Sequence, residues 1–174
     1  GYQMLGQRVE DPDHTESSMD GLAGMGLLPT TTLFLADKIT RQVTVRAQHN
    51  DFLSVGYSGE KLQGYEIHMG RTTYLSPVQH AFSVDRGDGV WLDDGVVRED
   101  GLVMGSYIHG LFDNDEYRRR LLNSLRSRKG LDTLGGDTIN MEARKEAAYN
   151  RLADTVRTHL DMERVYAAMG VEKP

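Results

Sequence analysis

The spacing of apolar residues changes character after residue 112. Up to that point, short runs of β-branched and aromatic residues alternate with polar ones, which is the period expected of strands with one buried face. Strands are therefore predicted over residues 31–35, 42–46, 62–69, 81–84, 90–92 and 96–98, followed by a buried strand over 102–108 around which the chain is organised. The dipeptides Asp94-Gly95 and Asp100-Gly101 predict hairpin turns, and residues 51–59 and 85–89 predict a loop and a turn.

Helical spacing takes over in the last third of the chain. Asp113 and Glu116 have the spacing of a capping box, so a helix with one apolar face is predicted from Asp113 to Gly130. A further amphipathic helical stretch is predicted from Met141, with a bend before it ends at Gly170.

The first thirty residues predict little regular structure. Met4 and Leu5 lie in a short helix, residues 9–20 form an acidic loop, and residues 21–29 form an apolar loop whose glycines indicate close approach of two backbones. Strands first and helices last predict an α/β fold, with a central sheet and flanking helices that pack on it.

Composition excludes several classes of function. The chain has 174 residues, 39% of them apolar, and no apolar run long enough to cross a bilayer and no signal-peptide pattern. The net charge is -6, and the run Arg118-Arg119-Arg120 lies on an amphipathic helix, so neither a nucleic-acid nor a membrane partner is expected. The absence of cysteine excludes disulfides and thiolate metal sites, and it favours a cytoplasmic location.

The predicted buried strand ends at His109, directly before Gly110 and a helix start. Ligands of open α/β sheets bind beyond the carboxyl ends of strands, and a histidine that titrates near neutrality can serve as base and acid. A histidine at a strand end is also commonly structural, so the residues alone leave both roles open. The remaining histidines considered, 14, 49, 80 and 159, lack ligand spacing and are predicted to be non-catalytic, and no metal site is expected.

Four segments together resemble one family. The first residues, Gly-Tyr-Gln-Met-Leu-Gly, are similar to the segment that follows the nucleophile in class I glutamine amidotransferases, whose pattern is Gly-X-Cys-X-Gly-X-Gln. The segments Gly-Met-Gly-Leu-Leu-Pro (24–29), Gly-Tyr-Glu-Ile-His-Met-Gly (64–70) and His-Gly-Leu-Phe-Asp (109–113) are similar to segments of the cobyric acid synthase type of that class. They occur in the same order, and the resemblance covers nearly the whole chain.

The resemblance implies a flavodoxin-like, three-layer class I amidotransferase domain of which residues 1–174 are the carboxyl-terminal part. The nucleophilic Cys and its elbow would lie just upstream, two residues before Gly1, and an ATP-binding synthetase domain would lie further upstream. His109 is then implied as the catalytic base and acid, and Gly1 and Gln3 as contacts for the substrate glutamine. Without the Cys, the chain alone is expected to be inactive.

The resemblance also implies cofactors and partners. Glutamine would supply ammonia for the amidation of corrin-ring carboxylates in cobalamin biosynthesis, with adenosylcobyrinic acid diamide as the acceptor. ATP and Mg²⁺ would act in the synthetase domain of the same polypeptide, and the chain itself would hold no cofactor. Two alternatives stay open: a related amidotransferase acting on cobyrinic acid or on a cell-wall lipid precursor, and a non-catalytic module that only docks on a synthetase.

Two features leave residue roles open. Class I enzymes usually have a Glu two positions after the catalytic His, where it orients the imidazole as Asp does in a serine triad. Here that position is Leu111, a gap that the cobyric acid synthase type shares, so a dyad helped by a backbone carbonyl or another acid is expected. Glu66 and His68 alternate with Tyr65 and Ile67; they are predicted to share a polar strand face and to serve the pocket or the synthetase interface, not fold stability. A solvated or hydrogen-bonded strand face is the alternative.

Overall fold

The computed structural model describes residues 1–48, 60–136 and 138–171. The chain divides into two compact units, residues 1–137 and 138–174. The predicted loop over 51–59 and His49 lie outside the described residues. Within the described residues, no helix has the length and apolar character needed to cross a membrane.

The first unit is built on a mixed β-sheet. In chain order, the elements of this unit are α1 (Tyr2–Leu5), β1 (Arg8–Glu10), β2 (Gly21–Ala23), β3 (Thr30–Ala47), β4 (Lys61–Tyr74), β5 (Phe82–Asp85), β6 (Trp91–Asp94), β7 (Val96–Val97), β8 (Met104–Gly105), β9 (Ile108–His109), a 3-10 helix (Leu111–Asp113) and α2 (Asp115–Arg128). Strands β7 and β8 form a separate two-stranded sheet. The main sheet runs β2-β1-β3-β4-β9, with β5 on β3 and β6 on β5. Strands β1 and β3 are parallel, and the other described pairs are antiparallel.

The longest strand, β3, contains two segments that were predicted as separate strands. Its pairing with β4 shifts register between Phe34 and Ile39, which lie opposite Gly70 and His68. Residues 35–38 therefore oppose Met69 alone and form a bulge. Because the bulge interrupts the alternation of side chains, the sequence pattern resembles two strands separated by a turn.

The predicted single strand over residues 102–108 is wrong. Strand β8 pairs with β7 in the small sheet, whereas β9 pairs with β4 in the main sheet. Between them, the Ser106 hydroxyl donates to the Asp94 carboxylate at 2.6 Å and accepts from the Ile108 backbone N–H at 3.0 Å. This local side-chain bonding replaces ladder hydrogen bonds and lets the chain change sheets.

Turn predictions are confirmed in part. Asp100-Gly101 connects the antiparallel strands β7 and β8, with Gly101 at φ 66°, so this hairpin is confirmed. Gly95 also has a positive φ of 70°, but it joins β6 to β7, which belong to different sheets. Asp94-Gly95 is therefore a corner and not a hairpin.

The amino-terminal loops hold more structure than predicted. Strand β1 lies at the edge of the predicted acidic loop, and β2 opens the predicted glycine loop. The close backbone approach indicated by the glycines is confirmed: the N–H groups of Gly24 and Gly26 donate to the carbonyls of Gln7 and Gly6, both at 2.9 Å.

The core lies between the sheet and α2. Tyr117 of α2 is fully buried against side chains of β3, β4 and β5, and Leu121 packs on the same cluster. The predicted α/β class, with a central sheet and a helix packed on it, is confirmed. The capping box is wrong, since Asp113 belongs to the 3-10 helix and α2 begins after Asn114. The Asn114 side chain instead bonds to the backbone of Gln63, at 2.9 and 2.8 Å, which ties the helix start to β4.

The second unit contains two helices, α3 (Met141–His159) and α4 (Met162–Met169). The side chains of Asn140 and Asp161 cap these helices. Each accepts a hydrogen bond from the backbone N–H three residues later, that of Ala143 and that of Arg164 respectively. The predicted bend and the stop at Gly170, which has φ 67°, are confirmed.

Candidate active site

A cavity of about 500 Å³ opens beside α1, where β9 ends next to β4. Its wall includes Gly1, Gln3, His68 and His109. The fold thus brings four of the five residues singled out in the sequence to one cavity. The fifth, Glu66, lies behind the wall.

His109 ends β9 opposite Tyr65 of β4, and their rings stack at 5.2 Å with an interplanar angle of 12°. Gly110 then turns the chain with φ 78°, a conformation that favours glycine, and Leu111 enters the core with 6% of its surface exposed. Leu111, which occupies the position of the usual orienting Glu, is therefore part of the hydrophobic core. Within the described residues, no backbone carbonyl or carboxylate forms a hydrogen bond with the His109 imidazole. The imidazole is instead stacked on the Tyr65 ring.

Gln3 reaches the cavity because Gly70 leaves room for it. A Cβ on Gly70 would collide with the Gln3 amide nitrogen, and would lie 2.6 Å from the Thr32 methyl and 3.0 Å from the Tyr107 hydroxyl. Gly64, at the other end of the same segment, would meet the Ile108 side chain and the His109 carbonyl, the latter at 2.9 Å. The two glycines therefore let α1 and β9 approach β4 closely.

The alternation predicted for β4 is confirmed, and the face that carries Glu66 is the buried one. Tyr65 and Ile67 are 42% and 41% exposed, whereas Glu66 is completely buried. A solvated position is thereby excluded for Glu66, whereas a hydrogen-bonded strand face stays open.

The Glu66 carboxylate pairs with Arg86, whose guanidinium donates two hydrogen bonds to it, at 2.8 and 2.6 Å. Arg41 and His68 lie further from it, each with a nitrogen 3.9 Å from a carboxylate oxygen. Burial alone would raise the pKa of Glu66, but His68 and Arg86 lower it to about 2. Glu66 is therefore a buried anion in an ion pair with Arg86.

His68 forms the wall between this cavity and a second one of about 360 Å³. Its ring stacks on Tyr107 at 3.9 Å, and its Nδ1 lies 2.9 Å from the Gly70 carbonyl oxygen. The Tyr107 hydroxyl is in turn 2.7 Å from the Thr72 hydroxyl, which is 2.8 Å from that of Thr32. The wall is thus fixed by a continuous set of polar contacts.

Sequence reasoning missed four charged or polar contributors: Arg86, Tyr107, Glu16 and Lys38. The last three line the cavity. Glu16, Arg86 and Tyr107 lie in a predicted loop, turn and strand, and Lys38 lies between two predicted strands. No spacing rule connects them, because a bulge and long-range strand pairing bring them together.

The histidines predicted to be non-catalytic make ordinary contacts where they are described. His14 pairs with Asp20 at 2.8 Å, His80 faces the Gly95 carbonyl at 3.1 Å, and the His159 Nδ1 lies 2.8 Å from a carbonyl of its own helix. None of the three lines the cavity. Across the described ranges, no group of three His, Cys, Asp or Glu side chains is placed to hold a metal ion.

The arrangement offers a proton-transferring imidazole at the rim, an amide for hydrogen bonding, and charged side chains around a space large enough for a small molecule.

Residues 1–117 match the CobB/CobQ-like glutamine amidotransferase domain. Cobyric acid synthases from Dehalococcoides mccartyi (strain BAV1), Moorella thermoacetica and Citrobacter koseri are 40%, 41% and 42% identical, over 97%, 100% and 97% of this chain. The chain spans about a third of the length of these relatives, 33%, 34% and 33% respectively. A chain of the PurLQS structure from Thermotoga maritima is 21% identical, with a TM-score of 0.46 over 58% of this chain and 55% of that one. The chain belongs to the CobB/CobQ-like glutamine amidotransferase domain family.

Proposed function

We propose that this chain is the glutaminase part of a cobyric acid synthase, in which it releases ammonia from glutamine for the amidation of corrin-ring carboxylates. The observation that carries the proposal is the convergence of His109, Gly1 and Gln3 on one cavity. These are the residues that the family resemblance assigns to catalysis and glutamine binding. The similarity to cobyric acid synthases over 97–100% of this chain supports the pathway.

In the proposed reaction, a Cys two residues before Gly1 in the full-length protein is the nucleophile. His109 takes the thiol proton, and the thiolate attacks the side-chain carbonyl carbon of glutamine. The protonated imidazole then gives its proton to the amide nitrogen, so that the C–N bond breaks and ammonia leaves. Water, deprotonated by the same imidazole, hydrolyses the thioester and releases glutamate.

The geometry around His109 supports this role. Its ring stands at the cavity rim, exposed enough to meet both a thiol and water, and the stacked Tyr65 ring restricts its rotation. The Gln3 side-chain amide would form hydrogen bonds with the bound glutamine. Gly1 has no side chain, so its backbone would be accessible to the substrate. The released ammonia would go to a synthetase domain of the same polypeptide, where ATP and Mg²⁺ activate adenosylcobyrinic acid diamide.

The proposal is tested by treating the full-length protein with 6-diazo-5-oxo-L-norleucine, a glutamine analogue that alkylates an activated thiol. We expect one label, located by peptide mass spectrometry on a Cys two residues before Gly1, together with loss of glutamine-dependent amidation of the corrinoid and retention of ammonia-dependent amidation. Labelling without any corrinoid amidation would favour a related amidotransferase. Absence of both labelling and glutamine hydrolysis would favour the docking module.

A further inference from the structure

The histidine assigned to catalysis above has no acid to orient it. Leu111 occupies the position of the usual Glu and packs in the core. Within the described part of the chain, the side-chain contact of the His109 imidazole is the ring of Tyr65. A base that takes a proton from one group and gives it to another has to be held in one orientation, so another residue must do the work of the Glu.

Strand pairing places Tyr65 beside His109 and keeps Glu66 away from it. Tyr65 lies directly opposite His109 in the antiparallel pair of β4 and β9, and Glu66 lies opposite Ile108. Neighbouring side chains of a strand point to opposite faces. Glu66 and Ile108 lie on the buried face, where they are 0% and 7% exposed. Tyr65 and His109 share the exposed face, so the one carboxylate of β4 is on the wrong side of the sheet to reach the imidazole.

The Tyr65 ring is fitted closely to the imidazole. The two ring centroids are 5.2 Å apart and the ring planes differ by 12°, which is an offset stack. The Tyr65 ring also lies against the turn after His109, because a Cβ added to Gly110 would be 3.4 Å from the Tyr65 Cε1. A Cβ added to Gly64 would collide with the Ile108 side chain, so the absence of one lets β9 approach β4. Two glycines thus set the separation of the stacked pair.

An aromatic face also supplies electrostatic stabilisation of the kind that a carboxylate gives. When His109 takes the thiol proton, its imidazole becomes a cation. A cation within about 6 Å of the centroid of a Tyr ring is attracted by the negative face of that ring, and 5.2 Å lies inside this range. The stack therefore favours the protonated imidazole over the neutral one, which is also the effect of an orienting acid.

We propose that Tyr65 is the positioning residue for His109: its ring takes the place of the usual Glu, holds the imidazole at the cavity and stabilises the imidazolium formed during glutamine hydrolysis. His109 lines the cavity and Tyr65 does not, so Tyr65 acts through His109 and not on the substrate. The inference rests on the proposed function and names the residue that lets its base work without an acid.

The test uses the full-length enzyme and measures kcat and KM for ammonia release from glutamine, together with the rate of ammonia-dependent amidation. Tyr65→Leu removes the ring, whereas Tyr65→Phe keeps the ring and removes only the hydroxyl. Tyr74→Leu is the matched control. Tyr74 also lies on β4, is 38% exposed against 42% for Tyr65, and contacts a histidine ring, that of His80, at 4.9 Å between centroids. Neither Tyr74 nor His80 lines the cavity.

We expect Tyr65→Leu to lower kcat about two- to ten-fold, the range for losing an aromatic stack on a cation, and to leave KM and the ammonia-dependent rate unchanged. Tyr65→Phe should keep the wild-type kcat, and Tyr74→Leu should match the wild type throughout. When His109 is already replaced by Asn, Tyr65→Leu should cause no further loss, because Tyr65 acts only through the imidazole.

Four results would overturn the inference while leaving the glutaminase in place. They are an unchanged kcat in Tyr65→Leu, an equal loss in Tyr65→Phe, a rise in KM alone, and the same fold-loss in the His109→Asn background. Equal loss of the glutamine-dependent and ammonia-dependent rates in Tyr65→Leu would make the role of Tyr65 structural and would also overturn it. A wild-type enzyme that releases no ammonia from glutamine would overturn the proposed function as well.

Discussion

Replacing Glu66 by Gln tests how the buried ion pair contributes to stability. The variant keeps the size of the side chain and one acceptor oxygen, but it removes the negative charge to which Arg86 donates two hydrogen bonds. Glu66 is 0% exposed and the Arg86 side chain 24% exposed, so the guanidinium would lose its partner at a mostly buried position. Leaving one member of a buried pair uncompensated is strongly destabilising.

The magnitude follows from the pKa of Glu66, which falls from 4.5 to about 2 in the folded chain. A difference of about 2.5 units at about 1.4 kcal/mol per unit is about 3 kcal/mol at pH 7. Since the folded-state pKa is the lower one, the unfolded chain binds more protons between the two values, and stability rises with pH there. The contribution is complete above about pH 5 and is lost as pH falls towards 2, so that less than half of it is left at about pH 3.

Urea unfolding at pH 7 and pH 3, followed by the fluorescence of Trp91, measures the effect; Trp91 is the only tryptophan. The control is Glu60→Gln, because Glu60 is 51% exposed and its pair with Arg120 is 3.6 Å long. An exposed pair of this kind contributes less than about 1 kcal/mol. Equal stabilities of the two variants, or a Glu66 effect that does not shrink at pH 3, would refute the reasoning.

Three further outcomes are expected. Incubated with glutamine, the isolated chain should release no glutamate above a buffer blank, because it contains no cysteine; release that His109→Ala abolishes would contradict this. Gly70→Ala should destabilise the fold by about 1–3 kcal/mol in urea, because the added methyl overpacks a filled site, whereas Gly135→Ala meets open space and should change little. Leu111→Ala should cost about 2–5 kcal/mol because Leu111 is buried, and Leu131→Ala, at a residue 50% exposed, should cost far less.

The sequence brings together the candidate site residues more readily than it predicts the strand order of the sheet. His109, Gly1 and Gln3 meet at one cavity because short segments with fixed local geometry carry them: a strand end, a helix start and two glycines that permit close approach. The helix after the site was also predictable, because Tyr117 and Leu121, four residues apart, both pack on the core.

Long-range relations account for the errors. Alternation in β4 shows which side chains share a face, but it does not reveal that the buried Glu66 carboxylate pairs with Arg86, twenty residues away. The division of residues 102–108 between two sheets depends on the hydrogen bond from Ser106 to Asp94, a contact that no local sequence pattern predicts. Lys38 reaches the cavity through a bulge, which a period-two pattern cannot represent.

The most direct test of the account is His109→Asn in the full-length enzyme, with the glutamine-dependent and ammonia-dependent amidation rates measured side by side. Asparagine retains some hydrogen bonding but cannot shuttle a proton near pH 7. We expect glutamine-dependent turnover to fall at least about a hundred-fold, the lower end for general acid–base catalysis, and ammonia-dependent turnover to stay at the wild-type level. His80→Asn, at a histidine outside the cavity, should change neither rate. Equal loss of both rates in a folded His109→Asn enzyme, or loss of neither, would contradict the assignment of this strand end as the glutaminase site.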